Sequence, residues 1–206
     1  MCLRLGIRPY TGINEHCQCG RALASAPYDH LLMCLSVRKN ALFARHERVV
    51  RCVQMIAARA GVTTQLNVRD PLLGDRLQPD LQLDGVHTRL ISDVTVIHPS
   101  SPSQCQRAAR DPLSAARAGE ALKRRKYAGR AVNGYTFTPF ALESFGGVGS
   151  GAVQVITALA IDADATGASI RAFKSWALCA VSVALQAGNG RVIGEGLKWA
   201  RLAPVG

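Results

Sequence analysis

Two aspartates carry the clearest chemical potential in this sequence. Asp80 follows Pro79, and Asp93 lies beyond twelve intervening residues, inside Ile91-Ser92-Asp93-Val94-Thr95-Val96. Short β-branched runs around both point to adjacent strands of one hairpin. Adjacent strands lie ~4.8 Å apart, so both carboxylates could grip one divalent cation. Asp93 is the odder of the two. Val94 and Val96 alternate with Asp93, Thr95 and Ile97, which gives the strand one apolar face and one half-polar face. A carboxylate in that setting costs stability unless solvent, a partner or a metal compensates it. A strand-end aspartate facing water is the plainer alternative.

A carboxylate pair of this kind suits phosphodiester hydrolysis, which needs a metal to polarise the phosphate, an activated water and a cation near the developing charge. Cations stand downstream in Lys123-Arg124-Arg125-Lys126. Glu120, Lys123 and Tyr127 are spaced to share one helix face, with Lys126 a turn from Lys123 on its flank. The same run also reads as a solvated face or a localisation signal.

A second group lies near the start. Cys17, Cys19, His30 and Cys34 have the right number and softness for tetrahedral zinc, and His30 and Cys34 sit one helical turn apart. The leading pair is tight, since structural sites usually separate it by ~2–4 residues. His16 with Cys19 is a better-spaced substitute for Cys17 with Cys19. Buried or incidental cysteines are the alternative. Cys52 falls among core positions of a helix and reads as packing.

Composition bounds these readings. With 48% apolar and 19% charged residues, the 206-residue chain is neither disordered nor collagenous. A net charge of +11 favours a polyanionic partner, nucleic acid ahead of an anionic membrane. More than half of that excess lies in residues 107–130, which hold eight basic and two acidic side chains. No apolar run approaches the ~18 residues of a membrane span, so no transmembrane helix is expected. Met1 to Tyr10, with Arg4 and Arg8, has no apolar core of signal-peptide length. The seven cysteines are then expected in a reducing compartment, bound to metal or buried rather than in disulfides.

The elements that must position these groups follow from periodicity. Apolar residues at threes and fours predict a helix over Ala41 to Ala60, stopped by Gly61. Val62 to Val68, Leu77 to Leu83 and Leu90 to Ile97 read as strands, separated by turns at Asp70-Pro71 with Gly74-Asp75 and at Asp84-Gly85. Residues 99–110 read as loop. Asp111-Pro112 offers an N-cap and first helical residue for a helix to Ala128, and Tyr135 to Leu142 alternates as a strand. The alanine-rich remainder predicts helices over Ala152 to Ile161, Ala168 to Leu185 and Val192 to Leu202, with core packing as their simplest role.

Seven segments carry a resemblance when taken in order. They are Cys17-Gln18-Cys19-Gly20, Asp29-His30-Leu31-Leu32-Met33-Cys34, Arg45-His46-Glu47, Gln78-Pro79-Asp80-Leu81, Asp93-Val94-Thr95-Val96-Ile97-His98-Pro99, Glu120 to Tyr127, and Thr138-Pro139-Phe140 through Gly146. Over about residues 11–150 the chain resembles the restriction-enzyme-like endonuclease domain of the PD-(D/E)XK superfamily, as found at the C-terminus of site-specific non-LTR retrotransposon and reverse-transcriptase-like polyproteins.

The resemblance implies an α/β restriction-endonuclease-like core of helix, three strands, helix and strand over residues 39–147, a zinc-knuckle segment over 11–38 and a helical tail over 148–206. It implies Mg²⁺ or Mn²⁺ on Asp80 and Asp93, and Zn²⁺ on the knuckle. Glu47 matches an additional acid of many relatives, with His46 as the alternative. The superfamily lysine position two residues after the second acid is Thr95 here, and the lysine function falls to Lys123 or Lys126 on the following helix. Gln78 stands where a basic residue often precedes Pro-Asp. Arg117, Arg124, Arg125 and Arg130 are the DNA-contact candidates. The implied function is target nicking of DNA in the nucleus, with an element's RNA as a further partner. A catalytically inactive DNA-binding relic is the competing reading, since Thr95, Gln78 and the tight cysteine spacing suit decay too.

Overall fold

The computed structural model of the protein describes residues 16–17, 19–23, 29–34, 36, 39–69, 77–129, 134–165 and 167–202. The turn expected at Asp70-Pro71 and Gly74-Asp75 lies outside the described residues, as does Arg130. The chain is a mixed α/β structure. Its elements are α1 (His30–Met33), α2 (Lys39–Arg59), β1 (Thr63–Leu66), β2 (Leu81–Asp84), β3 (Arg89–Ser92), β4 (Val94–Ile97), α3 (Cys105–Ala108), α4 (Ser114–Tyr127), β5 (Thr136–Phe137), β6 (Phe140–Glu143), α5 (Ser150–Asp164) and α6 (Ile170–Leu202).

In α2, Val49, Val53 and Ile56 recur on one face and are buried, as is Ala60 just beyond it, and Gly61, at φ +72°, turns the chain out of the helix. The chain then enters a four-stranded sheet in the order β1-β2-β3-β5, antiparallel except for the parallel β3–β5 pair. The β2–β3 hairpin turns at Asp84-Gly85, where the Gly85 N–H donates to the Thr88 carbonyl at 2.7 Å. A second, parallel pair joins β4 to β6.

The expected strand over Leu90 to Ile97 is two strands, broken at Asp93, and the expected strand over Tyr135 to Leu142 is also two, broken at Thr138-Pro139. The breaks lie side by side. The Thr138 N–H donates to the Ile91 carbonyl at 2.9 Å and the Phe140 N–H to the Asp93 carbonyl at 3.1 Å, stepping over Pro139, which has no N–H to give. Pairing thus crosses both breaks.

Helices cover the two faces unequally. Leu81, Leu83, Val94, Phe140 and Leu142 share one buried cluster with residues of α2, α5 and α6. Thr95 and Ile97 face the other way and meet α4 at Gly119, where a side chain would strike Ile97. A smaller cluster joins Cys17, Leu23, Leu31, Leu32 and Cys34 to Ala41 on α2 and Val192 on α6. The alanine-rich residues after 148 are therefore part of the core.

Three helix expectations need correction. Helix α4 starts at Ser114, not at Asp111-Pro112, because Leu113 adopts φ +61° and Asp111 is engaged by Arg117 outside the helix. The region expected as loop contains the single turn α3. The two expected C-terminal helices are one, α6, which runs through Gly188, Asn189 and Gly190. Tertiary partners override weak propensity there. Gly188 leaves room for the Arg45 side chain, and Asn189 donates to the Ser144 carbonyl at 2.7 Å while accepting from Arg45 at 3.1 Å.

Gly151, at the start of α5, packs so closely that a methyl group there would run into the Pro139 carbonyl oxygen. Gly151→Ala is expected to destabilise the protein by about 1–3 kcal/mol, the usual cost of overpacking. Urea unfolding of the two proteins checks this, and an unchanged midpoint would contradict the packing described.

Candidate functional site

The β2–β3 register sets Leu81 opposite Ser92, which brings Asp80 and Asp93 across from each other just beyond the paired strands. Asp80 accepts the Val94 N–H at 2.6 Å and lies 3.1 Å from His46 Nε2, both through Oδ2. Asp93, only 3% exposed, turns to α4. Its Oδ1 accepts from Lys123 Nζ at 2.7 Å, and its Oδ2 accepts from the Tyr127 hydroxyl at 2.8 Å and Lys126 Nζ at 3.3 Å. The Tyr127 ring is itself fixed by stacking on Phe137, with centroids 4.3 Å apart.

The two carboxyl groups act on each other, and their surroundings shift their pKa values in opposite directions. Burial raises the Asp80 pKa, and contact with Asp93 adds to the rise while His46 opposes it. Burial acts the same way on Asp93, but Lys123 prevails and holds it below the usual carboxylate range. Burial would lower the His46 pKa, yet its contact with Asp80 raises it. Burial and Asp93 raise Tyr127, which therefore stays a neutral donor. The two carboxylates are thus held by different partners, Asp80 by His46 and the Val94 N–H and Asp93 by α4.

Of the residues singled out from sequence, Asp80, Asp93, Lys123 and Lys126 meet here. Glu47 stays one side chain away: its Oε1 lies 3.5 Å from His46 Nδ1, and His46 makes the contact with Asp80. Glu120, one turn before Lys123 on α4, is engaged by α5. It accepts the Ser150 hydroxyl at 2.9 Å and the Gly151 N–H at 2.8 Å, tying α4 to the start of α5. Arg117 pairs with Asp111 at the surface, Arg124 lies 4.0 Å from Glu120, and Arg125 is exposed on α4. Gln78 donates to the Asn67 carbonyl at 3.1 Å, a local role.

The cysteine–histidine group is also assembled. The ligand atoms of Cys17, Cys19, His30 and Cys34 all lie within 4.8 Å of one another. Cys17 Sγ is 3.6 Å from Cys34 Sγ, and Cys19 Sγ is 3.3 Å from His30 Nε2. Zinc–sulfur bonds of ~2.3 Å at a tetrahedral angle imply S···S edges of roughly 3.8 Å, so the four atoms suit a metal ion such as zinc. The tight leading spacing is absorbed by a turn in which the Gly20 N–H donates to the Cys17 carbonyl at 2.7 Å, with Gly20 at φ +82°. Burial, with Cys34 beside it, pushes the Cys17 thiol up to about 12, a cost that a bound cation would reverse. Burial and nearby Arg21 lower the His30 pKa, which favours the neutral, ligating imidazole. His16 is exposed and outside the group, so the substitute pairing through it is not the one formed.

A contact not singled out from sequence ties the cysteine–histidine segment to the β4–β6 pair. Buried His98, at the end of β4, lies 2.9 Å from Asp29 Oδ2, next to His30, and 2.6 Å from the Ser144 hydroxyl after β6. A histidine closing a strand was the only sequence signal, and nothing in the spacing named its partners.

No family model matches this chain, and no curated protein matches it.

Wild-type protein is expected to carry about one equivalent of zinc. Cys17→Ser and Cys34→Ser should each lose it, whereas His16→Ala should keep it. Elemental analysis of the purified variants checks this. Loss in His16→Ala with retention in Cys17→Ser would contradict the ligand set.

Proposed function

We propose that the protein is a Mg²⁺-dependent DNA endonuclease domain of the PD-(D/E)XK kind, with an adjoining zinc knuckle, that nicks target DNA in the manner of retrotransposon-type elements. The observation that carries the reading is the convergence of Asp80, Asp93 and Lys123, with Lys126 as a second cation on the same carboxylate. Charge supports it: the helix that contacts Asp93 also carries the densest part of the +11 excess.

Asp80 and Asp93 would hold the divalent cation, which when bound supplies phosphate polarisation and activation of water. Around them, the chain's own residues have separate tasks. Lys123 keeps Asp93 ionised and is the cation nearest to where phosphate charge would develop. Tyr127 fixes the Asp93 carboxylate from below without titrating. His46 orients Asp80 and can hold a proton at Nε2. Arg124 and Arg125 are available to the DNA backbone, and Thr95, at the superfamily's lysine position, faces α4, from which both lysines reach the site. We place this activity in the nucleus as part of the same reading.

The test is plasmid nicking with Mg²⁺. Asp80→Ala and Asp93→Ala should each abolish nicking while DNA binding in EDTA persists or tightens, because two anions repel a phosphate when no cation intervenes. Lys123→Ala should lower rate with little change in affinity, and Lys126→Ala chiefly affinity. Wild-type protein that binds DNA but never nicks it with Mg²⁺ or Mn²⁺ would move the reading to an inactive DNA-binding relic, and nicking that survives both aspartate substitutions would refute the site.

Separately, neutralising Arg124 and Arg125 should weaken binding across sequences and reduce the slope of log affinity against log salt by about two. Loss confined to one target sequence would instead indicate base readout.

A further inference from the structure

Away from the aspartate pair, α2 and α6 form an open groove of about 840 Å³. Three of the most exposed large apolar side chains of the described residues line it: Phe43 at 63%, Met55 at 47% and Val183 at 68%. Small or apolar residues such as Ala44, Cys52, Ala180 and Ala184 complete its floor. Phe43 and Met55 are twelve positions apart on one helix, so the apolar strip runs roughly 18 Å, about three helical turns. Isolated apolar residues at a surface need no explanation, but a continuous strip between two helices does.

The rim is cationic. Arg48 and Arg51 on α2 and Arg191 on α6 border the groove, and among the described residues none of them has a carboxylate partner. Among the described residues Glu47 is the one acid that lines it, and its carboxylate is directed to His46. A second copy of the chain would bring like charge against like. Nucleic acid would find the arginines, yet Phe43 is the one aromatic lining residue, and an aliphatic floor gives bases little to stack on. A helix with an apolar edge and acidic flanks matches both floor and rim, and a two-helix groove is a natural seat for a third.

We propose that this groove docks an acidic amphipathic helix of a partner protein, its apolar edge on Phe43, Met55 and Val183 and its carboxylates toward Arg48, Arg51 and Arg191. The inference does not depend on nuclease activity.

A displayed library of amphipathic helical peptides, selected on the full chain, tests it. Enriched peptides should carry apolar residues at i, i+3 or i+4, and i+7 with Asp or Glu beside them. Fluorescence anisotropy of one labelled peptide should show affinity falling about tenfold or more with Val183→Glu. Arg51→Glu should weaken it too and flatten its salt dependence. Both positions are exposed, and circular dichroism confirms that each variant is folded; Met55→Glu, on the facing helix, repeats the test independently. Selection of no peptide whose binding depends on Val183 or Met55, or of peptides without acidic bias, overturns the proposal. So does a labelled single-stranded oligonucleotide that loses affinity with Val183→Glu while the peptides do not.

Discussion

The buried carboxylate of Asp93 is the constraint around which this structure is arranged. An ionised group that is 3% exposed must be paired or it would neutralise. Three donors from a single helix, Lys123, Lys126 and Tyr127, meet it. That requirement fixes α4 against the β4–β6 pair, and Gly119 permits the close approach, since any side chain there would collide with Ile97. The break between β3 and β4 falls at Asp93 itself, and the neighbouring strand breaks beside it at Thr138-Pro139. Removing Asp93 would thus leave two ammonium groups and a phenol without their common acceptor.

A second set of buried polar contacts ties the N-terminal segment to that core. The segment has a small apolar cluster of its own, and its four potential metal ligands gather in one place. From Asp29 the contacts continue through His98 to Ser144, and from the Ser144 carbonyl through Asn189 to Arg45. Each of these side chains is buried, so each contact offsets a desolvation cost that no solvent can meet. Arg45 is the incompletely satisfied member: burial lowers its pKa to about 10, and its Nε has no partner among the described residues. The segment that carries the four potential metal ligands is held to the sheet by polar groups as well as by apolar ones.

What the sequence disclosed follows the same division between local and long-range causes. Helix α2 was legible because its apolar period and terminal glycine are local signals, and the hairpin at Asp84-Gly85 likewise. The proximity of Asp80 and Asp93 was legible because a hairpin's register is set by its turn. The strand breaks were not, since an uninterrupted β-branched run around Asp93 gives no sign that its carboxylate will be claimed from another element. The continuity of α6 through Gly188, Asn189 and Gly190 was hidden for the same reason: its cause is Arg45 and Ser144, far away in the chain. Cys17 was distinguished from His16 only by the fold of the turn at Gly20. Glu47 and His46 were both visible as candidates, and the helix phase decided that His46 reaches Asp80.

We propose that Asp80 and Asp93 together form a divalent-cation site. Titration of zinc-loaded protein with Mn²⁺, followed by electron paramagnetic resonance with and without a duplex oligonucleotide, tests it apart from any turnover. The expected result is a single class of bound Mn²⁺ that Mg²⁺ displaces and that vanishes in both Asp80→Asn and Asp93→Asn. Mn²⁺ binding that is absent under both conditions, or that is undiminished in the two variants, would contradict it.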